Sequence, residues 1–362
     1  MNRIIYKTIM NPCANTPVQQ GLILEEAVKV SVIVPVYNAG NRIYKCLDTL
    51  VNQTLHEIEI ICVLDCPTDG TDKIVEEYAA KDSRIVVVRN KCNMHISASR
   101  NEGMKRASGE YIGFSDHDDY RALDMYEKLY AKAKETNADV VVSDVKQINE
   151  DMTEEYFHFN DFSQNGLINS VVLPLDDDRN VNKVWRACWH AIYRKSFLNN
   201  NAIVFEDRRK YFEEDTLFNL KVAIYAKQFA YMNEVLYCWN NHVGSESQQD
   251  LSTRTIDEMT AELEEMAVRQ LAHMKYVNDT LVGAGLFEAF KEQLWTYASK
   301  AINYHYTQYK NLHGTEREQL VKLINDIHFP LLGRYNLKLF SKKRIKLFFF
   351  LLKLRLDGRK AK

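Results

Sequence analysis

Val30-Ser31-Val32-Ile33-Val34-Pro35-Val36 is an apolar, mostly β-branched run closed by a proline, and it reads as a buried strand. Ile43, Leu47, Leu50 and Val51 then recur at helical spacing. Ile58 to Leu64 is the next strand, followed by turn chemistry in Asp65-Cys66-Pro67-Thr68-Asp69-Gly70 and a helix with Ile74, Val75 and Tyr78 inward. Ile85 to Val88 gives a third strand, and a helix is predicted from Ala98 to Ala107. Glu110 to Phe114 and Val140 to Val142 flank a further helix containing Leu123, Tyr126, Leu129 and Tyr130. Strands alternating with helices of this length predict an α/β domain, a mostly parallel sheet covered on both faces. Binding chemistry in such sheets gathers at the carboxyl ends of the strands.

The whole chain has 362 residues, 46% hydrophobic and 27% charged, enough for one large domain and an appendage. A net charge of −2 excludes a generally basic nucleic-acid binder. Seven scattered cysteines, none spaced as CxxC, suggest neither a zinc knuckle nor a disulfide framework, and a reduced cytoplasmic setting is expected. No apolar run is long enough to span a bilayer, and the start, Met1-Asn2-Arg3-Ile4-Ile5-Tyr6-Lys7, lacks the apolar core of a signal peptide. Regularity fades beyond Asp144, apart from a helix predicted from Thr216 to Lys227. From Ile256 to about Ile327 the composition turns helical, which offers an interface for an oligomer. The expected division is an N-terminal extension (1–29), an α/β domain (30–250), a helical extension (251–332) and a basic tail (333–362).

That tail holds eleven Lys and Arg residues from Arg334 onward against one acid, Asp357. Leu347-Phe348-Phe349-Phe350-Leu351-Leu352 is bracketed by Lys342, Lys343, Arg344 and Lys346 before it and Lys353 and Arg355 after it. It is too short to cross a membrane but suits a segment lying among anionic headgroups, placing the protein at the inner face of the cytoplasmic membrane. A terminal helix packed on the body, its lysines solvated, fits the same pattern.

Three acidic turns carry the chemistry, each expected after a strand: Asp65 with Asp69, Asp116-His117-Asp118-Asp119, and Glu213-Glu214-Asp215. Clustered carboxylates repel unless something positive sits between them, and Mn²⁺ or Mg²⁺ holding a diphosphate suits hard oxygen ligands. Singly, each turn has a structural explanation. Asp69 or Asp119 can cap a helix, and Glu213-Glu214-Asp215 can be a solvated helix start favoured by the dipole.

Their order is more telling. Val32 to Asn38, Val63 to Thr71, Asn93 through Arg100-Asn101-Glu102-Gly103, and Gly109 to Tyr120 closely resemble the family 2 glycosyltransferases with the GT-A fold. The resemblance continues more weakly through Trp189 to Arg194, Phe212 to Asp215, and Val235-Leu236-Tyr237 to Gly244-Ser245. It implies a Rossmann-like GT-A sheet and metal-dependent, inverting transfer from a nucleotide sugar, UDP-linked by the family's habit. The implied acceptor is a glycan or lipid-linked hydroxyl in bacterial surface polysaccharide or lipooligosaccharide synthesis.

By the same resemblance Pro35, Val36, Tyr37 and Asn38 line the nucleotide, Asp65 bonds the base, and Asp69 also belongs to the nucleotide-sugar site. Arg100 lies near the nucleotide, Asp116 and Asp118 meet ribose, metal and diphosphate, and His242 approaches the diphosphate or metal unless it is an ordinary loop histidine. Asp215 is the implied general base, with Glu214 as its neighbour. Two departures stand out: Cys66-Pro67 replaces the usual Gly-Ser, and His117 fills a position where a small residue is common. A nucleotidyltransferase would want a basic, glycine-rich loop after the first strand, and an oxidoreductase GxGxxG; Pro35 to Gly40 offers neither. A non-catalytic nucleotide-sugar-binding or membrane-docking module is the alternative from another class.

Overall fold

All seven residues from Val30 to Val36 are buried, as a strand covered on both faces requires. The computed structural model describes residues 9–10, 17–18, 27–158, 187–211, 213–242 and, between 269 and 288, residues 269, 272–273, 276–277 and 279–288. Two units emerge, the first drawn from Met1–Gln147, Trp189–Ala202 and Lys227–Asn240, the second from Ile148–Cys188, Ile203–Ala226 and Asn241–Lys362.

The first unit begins with β1 (Ile9–Met10) and β2 (Pro17–Val18), an antiparallel pair separate from the main sheet. It continues through β3 (Val30–Val36), α1 (Arg42–Val51), β4 (Ile58–Leu64), α2 (Thr71–Lys81), β5 (Ile85–Arg89) and α3 (His95–Arg106). Then come β6 (Tyr111–Phe114), β7 (Tyr120–Arg121), α4 (Met125–Thr136) and β8 (Val140–Asn149), whose last two residues enter the second unit. The second unit holds β9 (Glu154–Phe157); β10 (Ala191–Arg194) and α5 (Lys195–Asn200) return to the first. α6 (Glu214–Tyr225) belongs to the second unit, and β11 (Phe229–Asn241) closes the sheet of the first.

The sheet order is β5-β4-β3-β6-β10-β8-β11-β7. Its first four strands are parallel, as the alternating pattern predicts, with Val30 opposite both Ile58 and Tyr111. β10 then runs antiparallel between β6 and β8, and β11 antiparallel to β7. That aligned register brings the carboxyl ends of β4, β3 and β6 side by side, with the loops that follow them adjacent.

α1 buries Ile43, Cys46, Leu47 and Leu50. α2 buries Val75 while Ile74 and Tyr78 are half-buried, and α3 starts at His95, earlier than the predicted Ala98. α4 buries Tyr126 and Leu129, but Leu123, predicted within the helix, lies before it in a turn and is 48% exposed. In the second unit, Leu217, Leu220 and Ala223 of α6 form a core with Val277 and Leu281, both within the predicted helical extension. Most of that extension and the whole basic tail lie outside the described residues. Among the described residues no helix is long and apolar enough to cross a membrane.

Candidate active site

In the first unit, Asp65 directly follows β4 and is 3% exposed. Its Oδ1 accepts hydrogen bonds from Asn90 Nδ2 (2.7 Å) and the Met94 amide (2.8 Å), so the loop after β5 is tied to the carboxylate. Cys66, the first departure from the family turn, takes a left-handed φ of 58° ahead of Pro67, with its thiol on the Asn90 carbonyl at 3.3 Å. Across the neighbouring loop, Asn38 Oδ1 accepts the Thr68 amide at 2.8 Å. The Asp69 carboxylate takes the Thr71 amide (3.1 Å) and hydroxyl (2.6 Å) on one oxygen and the Gly40 amide (2.8 Å) on the other. Against the burial that would raise it, those bonds hold Asp69 below its ordinary value. Asn38 and Asp69 thus weld the β3 and β4 loops together, and Asp69 bonds Thr71 at the start of α2 without being its N-cap, which is Gly70. Pro35 and Val36 end β3, and Tyr37 presents a ring 44% exposed beside them.

After β6, the turn Asp116 to Asp119 is built in layers. Arg100 of α3 is 1% exposed, and its Nη2 meets Asp116 Oδ1 at 2.9 Å. α3 can bring the arginine there because Gly103 lies against β3: a Cβ on it would stand 2.4 Å from Ile33 Cγ2. His117, the second departure, turns its Nδ1 to the Pro35 carbonyl at 3.2 Å, which joins the turn to the end of β3. Under the turn, Arg121 donates to Ser115 Oγ (2.6 Å) and the Asp119 carbonyl (3.3 Å).

Asp119 points inward. Tyr237 donates its hydroxyl to Asp119 Oδ2 at 2.8 Å, and the Asn240 amide donates to Oδ1 at 2.8 Å. Burial, with the charges of Asp118 and Asp116, pushes the Asp119 carboxyl well above the usual range. Asp118, half-buried, is the middle carboxylate of the three. Among the described residues no three His, Cys, Asp or Glu side chains form a ready cation cage. The donor chemistry at Asp116 and Asp118 nonetheless fits a hard cation that takes one or two carboxylates and fills its shell with phosphate oxygens.

In the second unit the third acidic turn opens a helix and does not follow a strand, because residues 201–211 before it form turns and coil. Glu213 takes a left-handed φ of 51°, its carbonyl accepting the Thr216 amide at 3.1 Å. Glu214 is 6% exposed with Arg208 Nε 3.9 Å from its Oε2, so it is no solvated helix start. Asp215, half-buried, follows in the first turn of α6, where the helix dipole favours a carboxylate. His242, also half-buried, follows the last residue of β11. The stretch from Val235 to Ser245 falls within the resemblance, but nothing local marks Tyr237 and Asn240 as partners of the Asp116 to Asp119 turn, which they approach from more than a hundred residues away.

Residues 31–201 match the family model described as glycosyl transferase family 2. The chain is 33% identical over 229 residues to the glycosyltransferase GlyA of Streptococcus pneumoniae, covering 61% of this chain and 32% of GlyA. It is 32% identical over 219 residues to the uncharacterized glycosyltransferase EpsJ of Bacillus subtilis, covering 60% and 62%. The chain therefore spans from about a third to just under two thirds of the length of these relatives. Among solved structures, Staphylococcus aureus TarS 1–349 in complex with UDP-GlcNAc superposes with a TM-score of 0.59 at 25% identity, over 83% of this chain and 80% of that one. TarS is named a poly(ribitol-phosphate) beta-N-acetylglucosaminyltransferase. The sheet and its flanking helices are the GT-A fold that the resemblance implies. Over residues 31–201, just under half of its length, the chain is similar to glycosyl transferase family 2, and the relatives that it matches are named as glycosyltransferases.

Proposed function

We propose that the chain transfers a sugar from a nucleotide-sugar donor, UDP-linked, to a hydroxyl of a glycan or lipid-linked acceptor in surface polysaccharide or lipooligosaccharide assembly. The observation that supports this reading is that the adjacent parallel strands β4, β3 and β6 are followed by loops bearing the buried Asp65, the exposed Tyr37 and the Arg100-bound Asp116. The names of the relatives, and the UDP-GlcNAc bound to TarS, support the donor class.

Tyr37 and Asp65 take the base, a buried carboxylate suiting a ring N–H, and Asp116 takes a ribose hydroxyl. Asp118 would hold the cation, and through it the diphosphate. A divalent cation, Mn²⁺ or Mg²⁺, supplies positive charge that neutralises the departing diphosphate. Asp215, with Glu214 beside it in sequence, accepts the acceptor hydroxyl's proton as its oxygen bonds to the anomeric carbon and the bond to phosphate breaks. A single in-line displacement of this kind inverts configuration. Heating the protein with UDP-, GDP- and dTDP-sugars, with and without Mn²⁺, tests the reading. Metal-dependent stabilisation by UDP-sugars is expected, and no stabilisation by any of them overturns it.

The basic tail, outside the described residues, we assign to peripheral attachment at the cytoplasmic membrane face, where it brings the enzyme to a lipid-linked acceptor. A chain truncated after Gly333 should lose binding to anionic vesicles, and unchanged binding removes this assignment.

A further inference from the structure

We propose that Tyr237 and Asn240 are positioning residues: from β11 they hold the Asp116 to Asp119 turn so that Asp118 receives the donor's diphosphate and its cation in one orientation. The inference rests on the transferase reading and deepens it. Four contacts carry it. The Tyr237 hydroxyl donates to Asp119 Oδ2 at 2.8 Å and accepts the Asp116 amide at 3.3 Å. The Asn240 amide donates to Asp119 Oδ1 at 2.8 Å, and its side-chain Nδ2 donates to the Asp118 carbonyl at 3.3 Å. One strand therefore engages both oxygens of Asp119 and reaches the backbone on either side of His117.

The arrangement divides labour among the carboxylates. Asp119 is 2% exposed, and a carboxylate buried that deeply is costly without donors to both oxygens. Supplied with them, it becomes an anchor, and the turn it anchors is fixed at its first, third and fourth residues. Tyr237 is itself completely buried. Its ring stacks on Trp189 with centroids 4.3 Å apart and planes 19° off parallel, and the Arg121 guanidinium lies 5.7 Å from the ring centroid. The hydroxyl is thus placed by packing and has little freedom to wander. The register of β11 on β7, Tyr237 opposite Arg121 and Cys238 opposite Tyr120, aligns the strand with the exit of the turn. A tyrosine serves here because a rigid ring must span from a buried stack to the turn and end in a group that both donates and accepts.

Calorimetric titration of the full chain with UDP, at a series of Mn²⁺ concentrations, tests this. Tyr237→Phe keeps the stack on Trp189 and removes only the hydroxyl. Its melting point without ligand should fall by no more than a few degrees. The Mn²⁺ concentration needed for half-maximal UDP binding should rise about 10-fold, the scale of losing the hydroxyl's bond to Asp119 together with the longer one from the Asp116 amide. UDP affinity without metal should be unchanged. Asn240→Ala should shift the Mn²⁺ requirement in the same direction by a smaller factor, and it remains informative if Tyr237→Phe does not fold. Wild-type Mn²⁺ dependence in both variants overturns the proposal, as does a loss of UDP affinity equal with and without metal, which marks a merely structural role. If the unaltered protein binds UDP with no influence of Mn²⁺, the cation assignment at Asp118 fails, and if it binds no UDP at all the transferase reading fails, so these failures are told apart from that of the proposal.

Discussion

The Arg100 guanidinium meets the Asp116 carboxylate at 2.9 Å in an uneven burial, the arginine side chain 2% exposed and the aspartate 27%. The cation is sealed between α3 and the sheet, while the anion opens toward the loops where the nucleotide is proposed to bind. Asp116 is therefore oriented from beneath and still accessible from above.

That unevenness predicts unequal mutants. Asp116→Ala leaves a sealed guanidinium without this carboxylate and should destabilise by about 3 kcal/mol. Arg100→Met keeps the volume, removes the buried charge and leaves the half-open Asp116 to solvent, so it should cost about 1 kcal/mol or less. Urea denaturation midpoints of the two proteins decide the order, and equal losses would contradict the asymmetry.

Asp65→Asn separates scaffolding from binding. Asparagine keeps an oxygen for the Asn90 side chain and the Met94 amide, so the melting point should shift little. The negative charge proposed to meet a base N–H is lost, and UDP affinity measured by calorimetry should fall about 10- to 100-fold, the range for a hydrogen bond to a charged group. Unchanged affinity would remove Asp65 from the base site.

These residues differ in how far the sequence exposes them. The strands of the parallel half were legible because burial on both faces leaves continuous runs such as Val30–Val36 and Ile58–Leu64. Asp65 and the Asp116 to Asp119 turn were legible because they directly follow such runs. The antiparallel half was not. β7 has only two residues, and β11 mixes exposed Asn233 and Glu234 with buried Leu236, Tyr237 and Cys238, so neither shows a clean period of two. Tyr237 and Asp119 are brought together by that pairing alone, across 118 positions, and no local pattern encodes it. Leu123 failed for the opposite reason, since an apolar residue at helical spacing need not lie in the helix.

Acid should weaken the first unit in part through Asp82. Arg84 donates from Nε (3.0 Å) and Nη2 (2.6 Å) to the two Asp82 oxygens, its amide adds a third bond at 3.0 Å, and Nη2 also reaches the Val51 carbonyl. The Arg84 side chain, more than burial opposes, holds the Asp82 carboxyl below its ordinary value. With the folded value depressed, the contribution is complete above the unfolded pKa of about 3.9 and is lost as pH falls through the folded one. Asp82→Asn should therefore melt lower than the parent at pH 7, by a difference on the order of 1 kcal/mol, and the gap should close toward pH 2. A gap that persists undiminished at low pH would contradict this.

Asp118 is proposed to serve the donor's cation and, through it, the diphosphate, and Asp215 the acceptor's proton. Comparing Asp118→Ala and Asp215→Asn for both sugar transfer and Mn²⁺-dependent UDP binding tests this division most directly. Transfer should drop at least about 100-fold in each, the usual weight of a general base or an electrostatic clamp. Binding should collapse in Asp118→Ala and persist in Asp215→Asn. Near-normal transfer by either variant, or loss of UDP binding in Asp215→Asn with the fold intact, would contradict the account.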